Sequence, residues 1–334
     1  MFLNKYLFNI KRKLLFFIEE HYPALPLIVA LTYKCDMGCP YCNSQGLDKI
    51  FKEEISINNF TRLLGWMKKQ GIRKIMFSGG EPTQHTRFKD ILNLCKENHL
   101  RCYMASNCSY GEDINNAIAG NIDVLFVNCS TRHALTERAD FLDKLRFLNK
   151  RNTKLVLRVN VLTAGGDEIY WIQQIAKKLG ARIRIGIINS PAGPGTSLDV
   201  EKIRSLVAFT EEFAKQCLKE NIYIYLARPL PRCFFDDKKW QELRRLILIK
   251  SKCFVGYRGN YASRAVVNPD LSVFGCFKNF KKTENILHFH SLNELSEFYK
   301  INPSAGARHC VLDKENNCKY LAANDCSGAC FDHV

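Results

Sequence analysis

The feature that most restricts this chain is a strict alternation of short apolar segments with longer amphipathic ones between residues 27 and about 195. Runs at 27–33, 73–78, 100–106, 123–129, 154–162 and 181–188 are rich in β-branched and aromatic residues and read as strands. Between them, 56–70, 86–98, 112–119, 138–150 and 167–179 carry apolar residues at helical spacing. Strands that alternate with helices pair in parallel, because each helix carries the chain back across the sheet. Functional groups in such folds collect at the C-terminal ends of the strands. With 46% hydrophobic residues the chain can bury a full core, and disorder is excluded. Residues 189–196 are a turn-rich break, followed by a helix over about 198–221 and a short strand from Ile222 to Leu226.

Two motifs sit at predicted strand ends. After the first strand comes Cys35-Asp36-Met37-Gly38-Cys39-Pro40-Tyr41-Cys42. Gly38 and Pro40 break regular structure, so the three thiols can wrap one compact object. Three thiolates can hold three irons of a [4Fe–4S] cube and leave the fourth iron open to a small chelating molecule. A zinc knuckle or three packing thiols are the other readings, although zinc usually takes a fourth ligand from a second close pair, which this stretch lacks. After the second strand comes Gly79-Gly80-Glu81-Pro82, whose glycines permit close backbone approach.

Together these motifs resemble the radical S-adenosylmethionine (radical SAM) superfamily. The resemblance implies an α/β fold, a partial (β/α)6 TIM-like barrel over residues 27–228. It also implies that Cys35, Cys39 and Cys42 hold the cluster. Gly79, Gly80, Glu81 and Pro82 would receive the methionine amino group of SAM, through a carboxylate or a carbonyl. Tyr41 matches a site near adenine, Ser106 and Asn107 a polar strand-end pair facing the ligand, and Arg158 and Asn160 positions that contact the SAM carboxylate or ribose. A salt bridge or an edge position explains those last two nearly as well. Cys108 and Cys129 follow predicted strands, and Cys129 falls where many relatives carry an aspartate. Either thiol could be catalytic by donating a hydrogen atom to a substrate radical, as in radical epimerases. Packing is the favoured reading for both.

Beyond a boundary at Arg228-Pro229-Leu230-Pro231, residues 229–334 hold Cys233, Cys253, Cys276, Cys310, Cys318, Cys326 and Cys330. Residues 266–276 read as a β-hairpin delivering Cys276. This part resembles a small cysteine-rich SPASM/Twitch extension, which holds auxiliary iron–sulfur clusters, with Leu271 where the family hairpin has glycine. Seven thiols fall one short of two four-thiolate clusters. One auxiliary cluster with spare cysteines stays open beside two, of which Cys233, Cys253, Cys276 and Cys330 would form the first and Cys310, Cys318 and Cys326 part of the second. Structural zinc is a third option.

Residues 1–26 read as a basic amphipathic helix, ended by Pro23 and Pro26, that caps the barrel or lies on a membrane surface. Its apolar run is too short to span a bilayer, and no signal peptide is read there. Fifteen cysteines without secretion point to a reducing cytoplasm and metal–sulfur chemistry. A formal charge of +16 suits acidic partners, and so does an ordinary lysine-rich protein background.

The resemblance implies reductive cleavage of SAM to a 5′-deoxyadenosyl radical that takes a substrate hydrogen atom, with a ferredoxin or flavodoxin as electron donor. Maturation of a ribosomally made peptide, by crosslink, epimerisation or oxidation, is the first expectation. Dehydrogenation or epimerisation of a sugar, aminoglycoside or nucleotide-linked molecule is the second. An iron–sulfur carrier would need no SAM pocket. Nucleic acid is not expected as a partner, since no recognisable RNA-binding module adjoins the barrel.

Overall fold

The computed structural model describes residues 26–39, 42, 44–129, 141–161, 167–187, 200–227, 232–247, 265–274, 284–301 and 319–322. The N-terminal helix expected before residue 26 lies outside them, as do Tyr41, Cys253, Cys276, Cys310, Cys318, Cys326 and Cys330.

Seven parallel strands form the body of the sheet: β1 (Leu27–Thr32), β2 (Lys74–Gly79), β3 (Arg101–Ser106), β4 (Val124–Asn128), β5 (Lys154–Val161), β6 (Arg182–Ile187) and β7 (Ile224–Leu226). They are neighbours in chain order. Each expected strand lies within two residues of an observed one. The helix expected over 86–98 is preceded by a 3-10 turn, Pro82–Gln84, and runs Phe88–Glu97.

The two faces of the sheet differ. Val29, Leu31, Ile75, Phe77, Met104, Leu125, Val127, Leu157 and Ile183 point to the helices and join one buried core with them. Helix Ile57–Lys69 shows how the helices answer: Ser56 Oγ accepts from Asn59 N at 3.1 Å and starts it, while Phe60, Leu63, Leu64 and Met67 fall on one stripe and are buried. On the other face, Met76, Tyr103, Phe126, Asn128, Arg158, Asn160 and Arg184 are half-buried. That face belongs to a partial barrel: among the described residues the sheet ends at β7 on one side and is not closed into a ring.

On the other side the sheet continues into the C-terminal segment. Strand β8 (Val266–Val267) pairs in parallel with β1, Ile28 opposite Val266, and returns antiparallel through β9 (Ser272–Phe274) to β10 (Glu284–Asn285). The hairpin turn closes through Asn268 N to Ser272 O at 2.8 Å. Leu271 takes φ +68° there, the left-handed conformation that glycine adopts without strain, and its side chain is buried. Tyr33 Oη donates to Asn268 Oδ1 at 2.7 Å and Trp66 Nε1 to Phe289 O at 2.7 Å, so this segment is tied to β1 and to helix Ile57–Lys69. Among the described residues no helix is long and apolar enough to cross a membrane.

Candidate functional site

The site forms where β1 to β4 end, and hydrogen bonds join the four ends. Backbone comes first. Gly80 N donates to Thr32 O and Glu81 N to Lys34 O, each at 2.9 Å, so the turn after β2 lies directly on the start of the cysteine loop. No other residue fits this approach. A Cβ at Gly80 would stand 2.2 Å from Lys34 O, and one at Gly79, where φ is +104°, 2.5 Å from Thr32 O. The close approach expected of the two glycines is therefore made to the protein's own backbone.

Glu81 is 2% exposed. Its Oε1 accepts from Thr83 Oγ1 at 2.8 Å, Ser106 Oγ at 2.9 Å and Thr83 N at 3.3 Å, and its Oε2 from Asn107 N at 2.8 Å. Burial pushes its carboxyl above the usual range, while these four donors pull it back. The carboxylate thus fastens the end of β3 to the end of β2. Ser106 Oγ also accepts from Cys108 N at 2.9 Å, and Asn107 Nδ2 reaches across to Asp36 Oδ1 at 2.8 Å.

Within the cysteine loop, Cys42 N donates to Cys39 O at 3.0 Å, a tight turn that brings the two residues together. Ser44 N lies 3.4 Å from Cys42 Sγ, and Ser44 Oγ donates to Gly79 O at 2.9 Å. Asn128 Nδ2, at the end of β4, lies 3.9 Å from Cys39 Sγ. Sulfur atoms that receive N–H groups are stabilised as thiolates and, in a cluster, have their potential tuned. Burial, with Glu81 and Asp36 near, raises the Cys35 thiol above its ordinary value when no metal is present.

Exposure sorts the thiols. Cys35 is exposed and Cys39 and Cys42 are partly exposed, as ligands of an added group must be, and Cys233 is exposed too. Cys95, Cys102, Cys108, Cys129 and Cys217 are buried. Among the described residues, no three His, Cys, Asp or Glu side chains converge on one point as a single metal ion requires. A cube takes one thiolate per iron at separate corners, so three accessible thiols on one loop fit it better than they fit zinc.

Cys108 and Cys129 belong to the core. The Cys108 sulfur is 3.7 Å from Tyr110 Oη, and burial pushes its thiol up to about 12. The Cys129 sulfur is 3.6 Å from Val127 O, and burial raises its thiol further. These surroundings support packing for both.

Arg158 and Asn160 lie half-buried on the inner face of β5. Arg158 stands opposite Asn128, on the rung of the sheet that reaches Cys39. Asn160 stands opposite Gly186, where a Cβ would come 2.1 Å from its Oδ1. Asp36, Ser44, Thr83 and Asn128 were not singled out in the sequence. For Asn128 the signal was its place at a strand end beside Cys129.

Comparisons with known proteins agree with this geometry. The profile of the radical SAM superfamily matches residues 29–207. A probable GTP 3′,8-cyclase from Thermococcus kodakarensis is 30% identical over 87 residues, 26% of this chain and 28% of that protein. A PqqA peptide cyclase from Bradyrhizobium diazoefficiens is 34% identical over 73 residues, 22% of this chain and 18% of that one. The matched part is thus under a third of either relative's length. Among solved structures, SuiB from Streptococcus suis bound to S-adenosylmethionine superposes with a TM-score of 0.63 at 15% identity, covering 92% of this chain and 73% of SuiB. SuiB bound to its precursor peptide SuiA gives 0.59 at 13% identity, covering 85% and 66%. At such identity the likeness is one of fold.

Proposed function

Because the chain belongs to the radical SAM superfamily, we propose that it is an enzyme that modifies a ribosomally made peptide, by crosslink, epimerisation or oxidation. The family's cofactors are a [4Fe–4S] cluster and SAM, and Cys35, Cys39 and Cys42 are the residues that would hold the cluster. When bound and reduced, the pair supplies a 5′-deoxyadenosyl radical able to take a substrate hydrogen atom. The observation that carries this reading is the joining of four strand ends around three accessible thiols.

This chain's residues do the positioning. Ser44 and Asn128 place N–H groups at two of the sulfurs. Glu81 and Asn107 lock the turn after β2 and the end of β3 against the cysteine loop. Gly79, Gly80, Glu81 and Pro82 are proposed to receive the methionine amino group of SAM, with Ser106 and Asn107 facing the ligand. Arg158 and Asn160 face it from β5, where a guanidinium suits a carboxylate. We assign Tyr41 to the adenine side by its place before Cys42. Cys233, Cys253, Cys276, Cys310, Cys318, Cys326 and Cys330 are proposed as ligands of one or two auxiliary clusters, and a ferredoxin or flavodoxin in a reducing cytoplasm as the electron source.

The peptide reading draws support from two comparisons, a peptide cyclase by sequence and, by fold, a protein solved with its precursor peptide bound. A nucleotide-linked small molecule is the second reading, favoured by the GTP cyclase match. The test is anaerobic reconstitution followed by SAM and dithionite. We expect 5′-deoxyadenosine from wild type and none from Cys39→Ala. Equal yields from both would end the proposal. A short peptide encoded beside the gene should lose two hydrogens, or gain deuterium from solvent, during the reaction. An unmodified peptide together with an oxidised nucleotide sugar would transfer the assignment to the second reading.

A further inference from the structure

The two ends of the parallel sheet differ in charge. Six connections lead from a helix or turn into the start of β2 to β7: 68–74, 96–101, 119–124, 150–154, 177–182 and 219–224. They hold 13 lysines and arginines against 3 aspartates and glutamates. The loops at the far ends of β1 to β3, at 33–46, 79–87 and 107–113, hold 2 cations against 4 acids. The excess of positive charge therefore lies at the end opposite the cysteine loop.

That end is one continuous surface. Arg101 N donates to Arg73 O at 2.9 Å, Lys154 N to Asp123 O at 2.9 Å and Ile183 N to Tyr223 O at 2.8 Å, so successive connections lie side by side. Five strand spacings separate β2 from β7, about 24 Å in all. Arg73, Arg101 and Lys154 are exposed there. Two of the three acids are answered within the surface: Arg101 Nε lies 3.8 Å from Asp123, and Lys177 pairs with Glu220. Helix dipoles account for lysines in last turns, such as Lys69, Lys150 and Lys178. They do not account for Arg73, Arg101, Lys154 and Arg182, which stand at strand starts.

Residues 1–26 are attached at this same end, because β1 runs parallel to β2 and begins at Leu27, opposite Ile75. Their sequence sets Leu7, Ile10, Leu14, Phe17 and Ile18 at helical spacing and adds Lys11, Arg12 and Lys13. Folding a basic segment back onto a basic surface would bring like charges together. A nucleic acid answers the charge but has no place for the apolar series. An anionic bilayer answers both, with headgroups for the cations and an acyl boundary for the apolar side.

We infer that the basic end of the sheet, together with residues 1–26, docks on the anionic surface of a lipid bilayer. The cysteine loop, at the opposite end, then faces away from the membrane and stays open to substrate and electron donor. This holds whichever substrate the site takes.

The test is flotation of the anaerobically reconstituted full chain with vesicles. One set is phosphatidylcholine alone, the other equal parts phosphatidylcholine and phosphatidylglycerol. Wild type should float with the second set only, and added salt should release it. A cation near such a surface strengthens binding about fivefold, so Lys69→Gln, Lys150→Gln and Lys178→Gln combined should weaken it about a hundredfold. Lys49→Gln, Lys52→Gln and Arg87→Gln combined remove the same charge from exposed positions at the cysteine-loop end. That end lies beyond a screening length of about 10 Å from the membrane, so this variant should bind as wild type does. Leu14→Ser should weaken binding about tenfold and leave urea unfolding unchanged.

Four results overturn the inference. They are no flotation of wild type with either set, equal flotation with both, equal losses in the two triple variants, or a Leu14→Ser protein that unfolds earlier but floats as wild type does. The last would make residues 1–26 a cap on the barrel. Release of wild type from the vesicles by duplex RNA at matched phosphate concentration would give the surface to nucleic acid instead, and would overturn it too.

Discussion

Adding one methyl group at Gly80 tests how the site is assembled. An alanine Cβ there would lie 2.2 Å from Lys34 O and 2.6 Å from Tyr33 C. Both are backbone atoms, so no side chain can swing aside, and the two segments must part by about 1 Å to reach ordinary contact. The hydrogen bonds Gly80 N to Thr32 O and Glu81 N to Lys34 O flank the clash and lengthen together. Losing both costs about 1 kcal/mol each, and displacing packed backbone costs about 1–3 kcal/mol more. Gly80→Ala should therefore destabilise the metal-free chain by about 3–5 kcal/mol, a large part of a typical domain's stability. Gly65→Ala is the matched control, because that glycine is inside helix Ile57–Lys69 with nothing within 4 Å of the added carbon. It should be neutral or stabilising by up to about 1 kcal/mol. Equilibrium urea unfolding reads both variants, and iron content after anaerobic reconstitution reads the loop. A Gly80→Ala protein that unfolds within about 1 kcal/mol of wild type and binds full iron would refute the reasoning.

Two further outcomes follow from the geometry. Leu271→Gly relieves about 1 kcal/mol of left-handed strain but empties a buried position worth about 2–5 kcal/mol, so the thermal midpoint should fall; a rise would show that the side chain contributes little. Burial pushes the Glu54 carboxyl up, but hydrogen bonds from Thr86 N, Thr86 Oγ1 and Lys34 Nζ outweigh it and hold it below its ordinary value. Stability from that carboxylate is present above the unfolded value, near 4.5, and is lost as pH falls through the folded one. Glu54→Gln should flatten the acid limb of a stability–pH profile below pH 4.5, and an unchanged limb would remove Glu54 as its cause.

Local signals made the strands and the cysteine loop legible. Short apolar runs set between amphipathic segments mark β1 to β6, because parallel strands covered by helices are buried, and Gly79-Gly80 announces a place where backbones meet. What the glycines meet is decided by Thr32 and Lys34, far earlier in the chain, and a motif cannot state it. Glu81 illustrates this most clearly: the motif marks a carboxylate at a strand end, and only the fold adds that Thr83, Ser106 and Asn107 donate to it. Asn128 acts through a sulfur atom that only the fold brings near it. The partnership of Ile28 with Val266 was equally hidden, since two-residue β8 has no periodicity of its own and its position depends on β1.

That last pairing bears on biogenesis. Strand β1 is made early and carries the cysteine loop at its tip, yet one of its two flanks stays open until residue 266 has been synthesised. At ordinary rates of translation the ribosome needs about 10–50 s to travel that distance. During this interval an unsatisfied row of amides and carbonyls adjoins three accessible thiols, an invitation to unwanted strand addition and to oxidation. A chain cut short before the hairpin would keep that flank open permanently, so the distant C-terminal hairpin serves as the late clasp that seals the nascent iron site.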